Sequence, residues 1–178
     1  MKLKQIFLMF LFIGFSLSSF SQVGFGESQK INSNWKFILN DIPEAKEKDF
    51  NDWSWQNVDL PHDWSVKQQL SPTLASCMGY LPGGIGWYRK VIDMPRNELS
   101  NKVYLYFEGV YNRSEVYFNG HLLGKRPNGY VSFMYDVTPY LDGDGENIVA
   151  VRVDYNQDAD SRWYTGSVIY RNVWLVQC

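Results

Sequence analysis

Little in this chain is suited to bond-making chemistry. Its 178 residues include two cysteines and two histidines. Two cysteines, Cys77 and Cys178, do not make a disulfide framework, and neither is expected to carry function. There is no glycine-rich phosphate loop, no His-x-x-x-His pair, no Cys-x-x-Cys and no Gly-x-Ser-x-Gly. A phosphate cradle, a zinc site of ordinary spacing and a serine-hydrolase elbow are therefore excluded, and no cofactor or metal is implied. The net charge of −2 and pI near 5.7 are too close to neutral for a nucleic-acid partner or an acidic solvating tail. Helical periodicity is nearly missing as well, as are internal repeats and low-complexity tracts.

Aromatic residues are abundant, at 17% of the chain, with 7 Trp, 12 Tyr and 11 Phe. That excess suits a β-rich core or a binding surface better than a helical bundle. Residues 1–21 read as a leader rather than as part of the fold. Lys2 and Lys4 give a positive start, Ile6 to Phe15 are almost wholly apolar, and small polar residues run to Ser21. The apolar run falls short of the roughly 18–20 residues that cross a bilayer, so no membrane partner is expected. Export to the periplasm or the exterior is the corresponding expectation, with cleavage near Ser21–Gln22 and one domain over 22–178.

Within that domain the patterning alternates. Val103, Leu105 and Phe107 alternate with Tyr104, Tyr106 and Glu108; Val149, Val151 and Val153 alternate with Ala150, Arg152 and Asp154. Strands are expected near 34–39, 56–60, 86–94, 102–109, 114–119, 121–125, 130–135, 146–154 and 170–176. Asn119-Gly120 is the strongest hairpin signal, because a type I′ turn needs positive φ at both central residues. Asp142-Gly143-Asp144-Gly145 marks a second turn, and Pro82-Gly83-Gly84 leads into a strand. So many short strands at such spacing predict an all-β sandwich or barrel. Residues 61–85 are expected to form a long loop over it.

Four groups have chemical content. The run Ser161-Arg162-Trp163-Tyr164-Thr165-Gly166, continuing to Leu175, interleaves donors with flat rings, as a sugar-recognising loop does. Arg126-Pro127-Asn128-Gly129-Tyr130 is a turn carrying two polar donors, and it gains weight if it shares an edge of the sandwich with that run. Asp154, Asp158 and Asp160 lie on one segment and read first as solvated; sugar or metal contacts and a carboxylate pair are the sharper alternatives. His62-Asp63 reads as a loop-fixing pair rather than a catalytic dyad, since adjacent residues seldom form one and no nucleophile lies nearby.

Taken together, these segments resemble the opening domain of glycoside hydrolase family 2, in particular secreted β-galactosidases of the Bacteroidetes type. The resemblance rests on Trp35-Lys36-Phe37, Val58 to Trp64, Gly84 to Lys90, Phe107-Glu108-Gly109-Val110, Val116 to Gly120, Gly124, and Ser161 to Leu175. It implies a jelly-roll β-sandwich like galactose-binding domains, acting as an N-terminal sugar-binding domain. It also implies a (β/α)₈ barrel elsewhere that bears both catalytic glutamates, so that no catalytic residue is expected here. Glu108 and Glu115 are then strand residues. Asp160, Arg162 and Trp163, followed by Arg126 and Asn128, are the implied substrate-binding residues, and a β-galactoside-like glycan the implied partner. A missing barrel is a second implied partner. The alternatives are a free-standing carbohydrate-binding module and an interaction domain that completes a separate barrel chain. Val168 stands where the family has glycine; if that position needs positive φ, valine there would be strained.

Overall fold

The computed structural model describes residues 26–74, 80–94, 102–143, 145–156, 166 and 168–178. Twelve strands appear among them: β1 Glu27–Lys30, β2 Trp35–Leu39, β3 Gln56–Val58, β4 His62–Asp63, β5 Gly84–Asp93, β6 Val103–Phe107, β7 Ser114–Phe118, β8 His121–Arg126, β9 Phe133–Asp136, β10 Glu146–Tyr155, β11 Val168–Ile169 and β12 Val173–Gln177. Three short 3₁₀ turns, Pro43–Lys46, Ser65–Lys67 and Thr138–Tyr140, are the helical elements among the described residues.

The strands build an all-β jelly-roll sandwich. One sheet runs β3-β2-β5-β10-β7-β8, the facing sheet runs β1-β12-β6-β9, and β4 pairs with β11 as a small third ladder. Every pairing is antiparallel. The longest couples β5 to β10 from Glu146↔Asp93 to Tyr155↔Gly84. Alternation explains the layers. Val103, Leu105 and Phe107 of β6 and Val173 and Leu175 of β12 face Val116 and Phe118 of β7 and Val149, Val151 and Val153 of β10, all buried in one core. Stripping such side chains of water is the main favourable term in folding.

The hairpin forms as expected. Asn119 and Gly120 take φ of 48° and 83°, and Phe118 pairs with His121 across them. Three strands were not legible. β1, Glu-Ser-Gln-Lys, has no apolar residue and is exposed throughout; it exists through main-chain pairing to β12. β4 and β11 have two residues each, too short for a pattern. β9 begins at Phe133 rather than 130, and β12 at Val173 rather than 170. Glu108 lies just beyond β6, where it accepts from Trp174 Nε1 at 2.8 Å and Asn172 Nδ2 at 2.9 Å. Glu115 is a β7 residue as expected, held by Lys125 Nζ at 2.8 Å and the Tyr117 hydroxyl at 2.5 Å.

The outer face of the larger sheet is also covered. Trp87, Ala150, Ala45 and Trp55 form a second cluster beneath the 41–55 segment. Arg89, 1% exposed, lies in the same layer. Its Nε donates to Asp52 at 2.8 Å, and its Nη atoms donate to the carbonyls of Ala45, Glu47, Lys48 and Phe50. Ala150, its cross-strand neighbour, leaves room for the guanidinium. One side chain thus satisfies four backbone acceptors of an irregular segment that would otherwise be costly to bury. Removing one partner of such a buried pair strands the other. Arg89→Ala is expected to lower unfolding free energy by about 3–5 kcal/mol, read from urea denaturation curves.

Candidate functional site

One end of the sandwich gathers the residues of interest. The ladder between β5 and β10 finishes there at Tyr155↔Gly84, and β7 and β8 meet there at Ser114↔Arg126. Val168 lies at this end as well, bridged to Tyr111. Val168 is tied at once: its N–H donates to the Tyr111 carbonyl at 3.1 Å, and the Tyr111 N–H donates to its carbonyl at 2.9 Å. On its other side Val168 pairs with Asp63 and Ile169 with His62.

Tyr111 also touches the 126–130 turn. Its ring meets Tyr130 at 5.3 Å and 62°, and Tyr155 at 5.7 Å and 64°. Gly129 lies so close beneath the Tyr111 ring that a Cβ would clash with it. The Tyr170 hydroxyl donates to the Gly129 carbonyl at 2.8 Å, and Asn128 Oδ1 accepts from the Tyr130 N–H at 2.8 Å. The turn therefore shares an edge with Tyr155 and Val168, described residues on either side of the 157–165 stretch.

Two of the five expected substrate-binding residues are described. Asn128 is exposed, with Nδ2 unpartnered among the described residues. Arg126 closes β8 with its guanidinium over Phe133 at 5.6 Å and Tyr135 at 5.4 Å. It therefore bridges β8 to β9 as well as facing solvent. Asp160, Arg162 and Trp163 lie outside the described residues, as do Asp158 and Cys77; Cys178 is an exposed thiol.

Asp154 is committed to structure. It accepts from Arg113 at 3.4 Å, Arg152 at 3.5 Å and the Asn156 N–H at 3.0 Å. Among the described residues no cluster of acids, histidines and cysteines has the makings of a metal site. Arg113 has φ of 41°, and two polar atoms behind it, Asn112 Oδ1 and Ser114 Oγ, are buried without a partner among the described residues. Sequence reading missed Tyr111 and Tyr155, whose roles depend on rings brought together from distant strands.

The expected strain at Val168 does not occur. Positive φ among the described non-glycine residues falls at Asn34, Tyr80, Arg113 and Asn119, whereas Val168 is strand residue β11, buried to 4% exposure. A β-branched side chain suits that extended, packed position.

His62-Asp63-Trp64 fixes the neighbouring loop. Asp63 Oδ1 accepts from the Ser65 N–H at 2.9 Å, and Trp64 packs on Phe37 at 5.5 Å. The Tyr88 hydroxyl lies 2.9 Å from His62 Nδ1 and 3.2 Å from the His62 carbonyl, while Lys67 Nζ is 3.5 Å from Nε2. This geometry fits a neutral ring protonated at Nδ1, donating to Tyr88 and accepting from Lys67. Burial, then the Lys67 charge, depresses the imidazole to about 4 from 6.5, against a weaker opposing pull from Asp63. Burial pushes the Tyr88 phenol up.

Comparison with known proteins agrees with this architecture. Residues 28–178 match the model of glycosyl hydrolases family 2, sugar binding domain. A β-galactosidase of Bacteroides ovatus is 46% identical over 160 residues, covering 89% of this chain and 19% of that protein. A β-glucuronidase of Formosa agariphila is 32% identical over 162 residues, covering 81% of this chain and 16% of that one. The crystal structure of a β-glycosidase from Bacteroides vulgatus superposes with a TM-score of 0.80 at 47% identity, over 85% of this chain and 20% of that chain. This chain thus spans about a fifth or less of the length of these relatives.

The depressed His62 sets a pH dependence. The unfolded chain binds a proton through about pH 6.5 that the folded chain refuses until about pH 4. Unfolding free energy should therefore fall as pH drops through that window. His62→Gln, which cannot take up the proton, should flatten that part of the profile in denaturation curves measured from pH 7 to pH 4.

Proposed function

The chain belongs to glycosyl hydrolase family 2, over the span of that family's sugar-binding domain, and from that premise we propose that it binds a β-galactoside-like glycan as a non-catalytic domain of a β-galactosidase-like hydrolase. The observation that supports the reading is the meeting at Tyr111 of the Arg126–Tyr130 turn with Tyr155 and Val168, which flank the Asp160–Gly166 stretch in sequence. In this reading Asp160, Arg162 and Trp163 form one wall of the sugar pocket, and Asn128 with Arg126 forms the rim. Asn128 Nδ2 and the Arg126 guanidinium supply donors, and sugar hydroxyls accept them.

Hydrolysis belongs elsewhere. A retaining glycosidase needs two carboxyl groups about 5 Å apart across the scissile bond, one free to act as nucleophile and one as acid. Here Glu108, Glu115 and Asp154 are each occupied by hydrogen bonds that hold the sandwich together. The partner in this reading is a (β/α)₈ barrel bearing those groups. The leader of Lys2, Lys4 and the apolar Ile6 to Phe15 supports export to the periplasm or exterior.

Three measurements test these readings. In calorimetric titration with methyl β-galactopyranoside the purified chain should bind, and Asp160→Ala or Arg162→Ala should each weaken binding by about tenfold, on the order of one lost charged hydrogen bond. The same chain should not turn over a chromogenic β-galactoside; turnover lost in the Asp160→Ala, Arg162→Ala double variant would sink the non-catalytic assignment. For export, the intact mass of protein recovered from the native host should correspond to a start near Gln22, and retention of residues 1–21 would contradict it.

A further inference from the structure

Single exposed aromatics are ordinary on protein surfaces and need no explanation. Tyr130 differs in how it is held. It is 66% exposed, yet it ends a series of three tyrosine rings that begins in the core. Tyr155 is 6% exposed and Tyr111 7%, and the successive centroid distances are 5.7 and 5.3 Å at steep interplanar angles. Edge-to-face packing of this kind is favourable for aromatic quadrupoles.

The backbone beneath the ring is fixed too. Asn128 Oδ1 holds the Tyr130 N–H, Tyr170 holds the Gly129 carbonyl, and Gly129 is pressed against Tyr111. A ring braced in this way loses little freedom when something covers it, which is what a preorganised binding surface requires. Beside it, Asn128 Nδ2 is an unspent donor among the described residues.

We infer that Tyr130 is a stacking subsite that covers the apolar C–H face of a pyranose while Asn128 Nδ2 donates to one of its hydroxyls. The inference rests on the proposed function and adds which residue reads the sugar ring. A phenol face is the negative end of a quadrupole and attracts polarised C–H groups. A galacto-configured ring suits it best: with the 4-hydroxyl axial, H3, H4 and H5 lie together on one face. In the gluco configuration H4 points to the opposite face and that patch is broken.

The test is titration of the full chain with methyl β-galactopyranoside and methyl β-glucopyranoside, followed by ligand proton NMR. In the parent protein H3, H4 and H5 of the galactoside should shift upfield from the ring current. Tyr130→Ala and Tyr130→Leu should abolish that shift and weaken galactoside binding about fivefold to tenfold, whereas Tyr130→Phe should stay within about twofold. The loss should be smaller for the glucoside. The ring is largely exposed but packs on Tyr111, so thermal midpoints should fall by only a few degrees; two unlike replacements guard against a variant that misfolds. If both replacements bind as the parent does while Asn128→Ala or Arg162→Ala is weakened, the stacking subsite is wrong and the sugar-binding reading stands. Equal losses for the two sugars would overturn the galacto preference. If the parent chain binds neither sugar, the functional reading fails and this inference with it.

Discussion

The pairing of Gly84–Asp93 with Glu146–Tyr155 is the spine of this molecule. Ten residues on each side run in register, and β2 hangs from one flank while β7 hangs from the other. The opposite faces of this pair carry different loads. Tyr88, Val151 and Val153 turn into the sandwich core, and Trp87, Arg89 and Ala150 turn outward under the 41–55 segment. A slip of one residue would exchange those faces, driving Arg89 into the core and Tyr88 out of it. The register also decides where the ladder ends. Because it ends at Tyr155, the third ring beneath Tyr130 is in place.

Much of the fold could be read from the chain because local pattern and tertiary position agree. Asn119-Gly120 specified its turn by backbone conformation alone, and β6, β7 and β10 announced themselves by alternation against a single core. β1 could not be read, because its stability lies in main-chain hydrogen bonds to β12 and its side chains record nothing of them. β4 and β11 are defined by each other and by Tyr111, residues far apart in sequence. The same reason hid the tyrosine series: residues 111, 130 and 155 share no period, and only the folded edge brings their rings together. Arg126 was legible as a donor in a turn, but its position over Phe133 and Tyr135 follows from how β8 approaches β9. Val168 shows the converse error. A family preference for glycine suggested backbone strain, whereas the extended conformation here accepts a branched side chain.

The site and the scaffold use similar chemistry for different ends. Among the described residues, Asp154 and Glu108 are taken up in binding arginines, backbone amides, an asparagine amide and an indole, while Asn128 and Arg126 lie exposed. Sugar recognition needs donors and rings in fixed relation, and it does not need a perturbed acid. His62, the one histidine with a resolved shift, is neutral and packed between Phe37 and Tyr88. It steadies β4, which in turn holds β11 and the return of the chain to the edge. The packing around His62 and the edge at Tyr111 are therefore linked through Val168.

Arg126 has one more consequence. β8 is the last strand of one sheet and β9 the last strand of the other. Terminal strands present open hydrogen-bonding groups that a neighbouring molecule can add to, and such strands are a recurrent route to aggregation. A guanidinium lying across Phe133 and Tyr135 spans the seam between these two margins. Covering the seam with a second molecule would take that positive charge out of water, which is costly unless it is paired. The residue that rims the proposed pocket thus also sets a positive charge over the seam between the two open margins.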